Sequence, residues 1–440
     1  MTTVKVSTPQ ELLDALSGGA VNIEVQGELH GMPMITLPPG TALRGGTLRF
    51  GAKGVRLTTD NTLEDVTILT SRDEVALLND TSVERLGTLV LRNVTTRGQI
   101  LLLADQAVRS GHVNAENVVV TTADVRGGAL RPHGFGVEAL QGAFTLWNLQ
   151  SDPEVVLTAE LRGVSAGSAE EPVRGSGVFV GGHGDWNGQS DGGTIQVSEL
   201  RTGEIHTDGA IPPGTPDLIS GGVFVISGAE VERVATDGAV TTYGQNDMVL
   251  DNWGEVSLWE VSAPVTSHGP SGIGFVNFGG LGVLDVRAPI TTTGKGARGF
   301  NLYDGSLKAA TFDSIVTTGG GSVGIQISKP MGSLTVRGDV TTKGGEGLSL
   351  VKGVQVLLQA VALSVKRGGV VESIEIGGRL STRGDRVVTL EVGGEVASFT
   401  VGEGIEAHGE GSDAVHLNGG SISLQGLRIS AADGETVREG

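Results

Sequence analysis

Five segments of one kind decide the fold: Val240-Thr241-Thr242-Tyr243-Gly244, Val265-Thr266-Ser267-His268-Gly269, Ile290-Thr291-Thr292-Thr293-Gly294, Ile315-Val316-Thr317-Thr318-Gly319 and Val340-Thr341-Thr342-Lys343-Gly344. Their glycines stand 25 residues apart four times in succession, and degenerate copies end at Gly384 and Gly409. Gly209 lies 35 before Gly244, and Gly384 lies 40 after Gly344; the surpluses of 10 and 15 read as loop insertions at 211–220 and 352–370. Each period holds about three short stretches of strand character, such as 274–278, 282–286 and 289–292, and none with a helical period. Three strands per repeat, each pairing with its equivalent one repeat away, predict an all-β fold, a parallel β-helix rising about 4.7–4.9 Å per coil. A coil of 25 suits the right-handed form, since the six-residue period of the left-handed form is absent.

Composition agrees. Seventy-two of 440 residues are glycine and only 14 are proline, with no glycine at every third position, which excludes collagen. Valine, leucine and isoleucine recur throughout, which argues against disorder and for a single β-helix domain over 1–440. The formal charge of −19 disfavours nucleic acid as a partner. It also disfavours a polyanionic glycan, unless basic residues cluster locally. No apolar run reaches the roughly 18 residues that span a membrane, so no membrane partner is expected. The start, Met1-Thr-Thr-Val-Lys-Val-Ser7, lacks the pattern of a signal peptide, which points to the cytoplasm, with leaderless export as the alternative. The absence of cysteine removes disulfides, zinc thiolates and cysteine nucleophiles together. Nothing here fixes the oligomeric state.

Near the N-terminus, Thr8-Pro9-Gln10-Glu11 is a capping box with proline at the first helical position, followed by Leu12, Leu13, Ala15 and Leu16 and stopped by Gly18-Gly19. It predicts a short helix over 8–17 that closes the open end of the stack. That segment, with Val21-Asn-Ile-Glu-Val-Gln-Gly27 and Leu37-Pro-Pro-Gly-Thr-Ala-Leu-Arg-Gly-Gly46, resembles the N-terminal part of pectate-lyase-like (pectin-lyase-like) right-handed β-helix proteins. The resemblance implies a carbohydrate ligand. It also implies one of several roles: polysaccharide lyase, glycoside hydrolase, sugar epimerase, or a non-catalytic adhesin- or tailspike-like binder.

Overlaying coils, with the marker glycine as zero, sorts the side chains. Position +6 reads Leu250, Phe275, Phe300, Ile325 and Leu350, an inward stack; +4 reads Met248, Ile273, Arg298, Val323 and Leu348, inward by alternation except at Arg298. A buried guanidinium needs a partner, so Arg298 either meets an internal carboxylate or turns outward. Position +8 sets Asn252 above Asn277, a structural asparagine ladder. The expected outward positions are +5 (Val249, Gly274, Gly299, Gly324, Ser349), +7 (Asp251, Val276, Asn301, Gln326) and +9 (Trp253, Phe278, Tyr303, Ser328).

Eight of the sixteen aromatics fall within 243–312, and Trp253, Phe278 and Tyr303 would form a row on which sugar rings stack. Asp251, Asn301, Gln326 and Lys295 would take hydroxyls. For catalysis the candidates are His268 and Tyr243 in the turn column, with Arg298, Asp304 and Lys329 across the groove: His268 and Asp304 as acid and base, Lys329 or Arg298 holding negative charge. For each, a solvated or packing role is the competing reading. Gly181-Gly-His-Gly-Asp-Trp-Asn-Gly188 contains the Gly-His-Gly of polygalacturonases but lacks their paired aspartates upstream; Leu130-Arg131-Pro-His133-Gly134 is another polar turn. No cofactor is expected. Calcium would need a carboxylate cluster, and Asp247, Asp251 and Asp304 are too scattered in sequence to form one.

Overall fold

A computed structural model describes residues 3–351 and 354–440 of the chain. Strand makes up 57% and helix 2%, with the strands stacked in parallel: the protein is a parallel β-helix. It divides into two compact units, Met1–Asp208 with Val223–Val234, and Gly209–Gly222 with Ala235–Gly440.

The first unit begins with the helix Pro9–Ser17. Thr8 caps it, accepting from the Glu11 backbone while the Glu11 side chain reaches back, and Leu12 and Leu16 are buried. The helix packs on the strands Val4–Val6, Asn22–Val25 and Glu28–Met32. Its first coils are shorter than the sequence repeat: Leu43 pairs with Ile23 and with Leu63, each 20 residues away. Later pairings run Leu63↔Leu91, Leu91↔Ala115 and Ala115↔Leu161, so coil length varies and no fixed period shows in the sequence.

The second unit keeps the 25-residue register. Val240, Val265, Ile290, Ile315 and Val340 pair in turn, all fully buried. The marker glycines sit at a corner where successive coils touch through their backbones. A Cβ on Gly269, Gly294, Gly319 or Gly344 would collide with the carbonyl oxygen of the marker glycine one coil earlier. Glycine recurs there because nothing larger fits. The asparagine ladder forms as well: Asn252 Nδ2 donates to Asn277 Oδ1 at 2.8 Å, and Asn277 Nδ2 to the Gly279 carbonyl at 2.8 Å.

Both insertions differ in extent from the sequence reading. A strand already begins at Leu218, so the surplus there ends at 217. The later surplus is an antiparallel hairpin, Glu346–Val351 with Val354–Gln359, which starts before 352; residues 352 and 353 of the expected insertion lie outside the described residues. The coil resumes with Leu363, which pairs with Ile325 and takes the +6 place assigned above to Leu350. Leu348 and Ser349 likewise belong to the hairpin, not to the +4 and +5 columns.

Candidate functional site

The site lies on the sheet built from Asp247–Asn252, Ile273–Asn277, Arg298–Leu302, Val323–Ile327, Leu363–Val365 and Val388–Val392. Position +6 faces the core: Phe275 and Phe300 are fully buried with ring centres 6.2 Å apart, Phe275 against Trp259 and Phe300 against Phe312, each at 5.0 Å. The glycines at +5 face inward too, which corrects the expectation of an outward glycine strip. A Cβ on Gly274, Gly299 or Gly324 would strike the side chain of Ile290, Ile315 or Val340. With two neighbouring positions turned inward, simple alternation fails, and +4 turns out where it was expected to turn in. Arg298 and Val323 both line an external cavity, and Val323 packs with Val361 and Val388.

Position +7 forms one column by strand register, Asp251↔Val276↔Asn301↔Gln326↔Ser364↔Glu391, on the face that Gln326, Ser364 and Glu391 present to the cavity. The column is not the solvated row expected of it, since Asp251, Val276 and Asn301 are buried. Burial pushes the Asp251 carboxyl well above the usual carboxylate range, and the Trp253 indole pulls it only partly back. Neither polar atom of the Asn301 amide has a hydrogen-bond partner among the described residues. A buried amide in that condition is costly unless water or a ligand meets it.

The aromatic row is aligned: Trp253 to Phe278 spans 6.2 Å edge to face, and Phe278 to Tyr303 spans 4.9 Å. Exposure is graded along it. Trp253 is buried at 4%, against the expected exposure, whereas Phe278 and Tyr303 are half-buried. Tyr303 brings the row to a cavity of about 480 Å³. Its polar side carries Arg298, Tyr303, Gln326, Lys329, Lys366 and Glu391; Val323, Val361 and the hairpin residues Leu357 and Leu358 form its apolar side.

The charges there are unequal. Lys329 pairs with Asp304 at 2.8 Å, both groups nearly half exposed. Lys366 pairs with Glu391 at 2.7 Å, and Ser364 donates to the same carboxylate at 2.6 Å. Burial raises Glu391, but Lys366 and these hydrogen bonds outweigh it and hold the carboxyl below its usual value. Arg298 differs. It is 4% exposed, its Nη1 donates only a long bond to the Gly296 carbonyl at 3.4 Å, and its Nε has no partner among the described residues. Burial lowers its pKa and raises that of Tyr303, and Arg298 partly offsets the Tyr303 shift.

The remaining sequence candidates lie elsewhere. Tyr243 and His268 stack one coil apart at 5.5 Å, and His268 Nδ1 meets Thr293 Oγ1 at 3.2 Å. That column is largely exposed, as is Lys295, and none of these residues lines the cavity. The structure therefore gathers Arg298, Tyr303, Gln326 and Lys329, with Asp304 on Lys329, and leaves His268 and Tyr243 apart from them. In the first unit the two weaker motifs meet: Trp186, 58% exposed, stacks on His133 at 4.1 Å, and His183 Nδ1 contacts Asp191 at 2.6 Å. Among the described residues no group of three His, Asp or Glu side chains could hold a metal ion.

Ser364, Lys366 and Glu391 escaped the sequence reading. They reach the cavity only because the hairpin displaces the coil register by 13 residues, from 350 to 363, which an overlay at a fixed period misaligns. Comparison with protein-family models, curated proteins and solved structures finds no match to this chain.

Proposed function

We propose that the protein is a saccharide-binding β-helix of the pectate-lyase-like kind, with the sugar chain running along the ring row into the cavity beside the hairpin. The observation that carries this is the Trp253–Phe278–Tyr303 row, its rings one coil apart and progressively more open towards a cavity with a polar and an apolar side. A pyranose offers C–H surface to aromatic and aliphatic side chains and hydroxyls to amides and charges, and the cavity presents both kinds of group. Binding is favoured over cleavage because the expected acid and base do not converge: His268 contacts Thr293 in the turn column, and Asp304 is engaged by Lys329. A glycan panel assayed for both retention and product release tests the proposal. Retention without products is expected, weakened about tenfold or more by Phe278→Ala or Tyr303→Ala with melting little changed. Release of a shortened or unsaturated product would replace the binder with an enzyme, and indifference of retention to both substitutions would remove the ring row from the site.

A further inference from the structure

Three cations line the cavity, and two already have carboxylates: Lys329 has Asp304 and Lys366 has Glu391. Arg298 has no carboxylate among the described residues, although it is the most deeply buried of the three. A guanidinium taken out of water without a counter-ion is destabilising, and chains normally pair it or exclude it. The position does not require arginine, since the same column holds Met248, Ile273 and Val323 on neighbouring coils. Arg298 therefore resembles half of an ion pair whose other half arrives from outside.

We infer that the cavity is a binding site for the anionic end of a saccharide, a terminal sugar carrying a carboxylate or sulfate that pairs with the Arg298 guanidinium while its C–H face lies on Val323, Val361 and the hairpin leucines. The inference rests on the saccharide reading above and adds the charge and the position of the group recognised. Guanidinium suits either anion because its planar fork offers parallel N–H donors to two oxygens. The neighbouring groups fit this role. Lys329 and Lys366, each already paired, keep the surrounding potential from turning negative in a chain of net charge −19. The Ser328 and Gln326 side chains, hydrogen-bonded to each other at 3.2 Å, supply a hydroxyl and an amide for neutral oxygens. A cavity of about 480 Å³ is of small-ligand size, so it takes an end group and not the middle of a polymer.

The test uses the full chain and three oligosaccharide probes of equal length: neutral, uronate-terminated and terminally sulfated. Calorimetry should show an acidic probe binding at least tenfold more tightly than the neutral one, with the preference lost in Arg298→Met and partly kept in Arg298→Lys. Melting should hold or rise in Arg298→Met, because a buried charge without a partner is removed. The chain has two tyrosines, so Tyr243→Phe leaves Tyr303 as the sole phenol. In that background an acidic probe should move the tyrosinate absorbance titration to higher pH by neutralising Arg298, and a neutral probe should not. Equal binding of neutral and acidic probes would overturn the anion site and leave the saccharide groove standing. Retention of inorganic sulfate at Arg298 with no binding of any oligosaccharide would do the reverse. Lowered melting in Arg298→Met with unchanged probe binding would make the residue structural and end the proposal.

Discussion

At the scale of single residues, two buried positions behave oppositely. Phe300 is fully enclosed among Phe275, Phe312 and the aliphatic +6 stack, so Phe300→Ala should lower stability by about 3–5 kcal/mol through lost transfer energy and an unfilled cavity. Chemical denaturation measures this, and an unchanged midpoint would contradict the register. Asp251 works against the fold at neutral pH. Its folded-state value lies above the unfolded value of about 3.9, so the contribution it makes below that pH is lost as pH rises towards the folded value. Each pH unit in that window removes about 1.4 kcal/mol. Asp251→Asn should therefore melt higher than the parent at pH 7, with the difference shrinking on acidification. A difference independent of pH would mean that the carboxyl is not held neutral.

At the scale of elements, the hairpin Glu346–Val351 with Val354–Gln359 is the informative piece. It pairs with itself and not with the coil sheets, and it carries Leu348 and Leu357 opposite each other, both about 60% exposed. Ser349 ties it to the Gly296 carbonyl at 2.9 Å. The coil closes without it, since Leu363 pairs with Ile325 as a 25-residue coil would require. Replacing 346–359 by a short glycine-containing turn should leave cooperative unfolding intact and cut saccharide affinity at least tenfold, because Leu357 and Leu358 leave the cavity. Calorimetry and thermal melts on one sample separate the two effects. Loss of folding would instead make the hairpin part of the core.

At the scale of the whole molecule, charge sets how a ligand approaches. A net charge of −19 repels an acidic saccharide at distances beyond the cavity, and salt screens that repulsion over a Debye length of about 8–10 Å. Raising ionic strength should speed association of an acidic oligosaccharide and leave a neutral one unaffected, as stopped-flow mixing would show. An association rate that falls with salt would mean that a local basic field dominates the approach. Among the described residues no helix is long and apolar enough to cross a membrane.

The sequence alone determined the β-helix, because backbone contact between coils admits only glycine at the corner and prints that requirement every 25 residues. It also determined the helical cap, the asparagine ladder and the ring row, each of which is a local pattern or a repeat of one. The faces of the groove strands were decided only by the tertiary structure. Glycines at +5 look outward to a rule of alternation, yet they turn inward because the β-branched residues of the adjoining sheet occupy the space a Cβ would need. That inward turn carries Arg298 out to the cavity. The company Arg298 keeps was equally unreadable: Lys366 and Glu391 come beside it from coils 27 and more residues beyond the expected register, after a hairpin whose length the period could not reveal. Spacing along the chain reports what stacks on what; only packing across the coil decides which side of a strand meets a ligand.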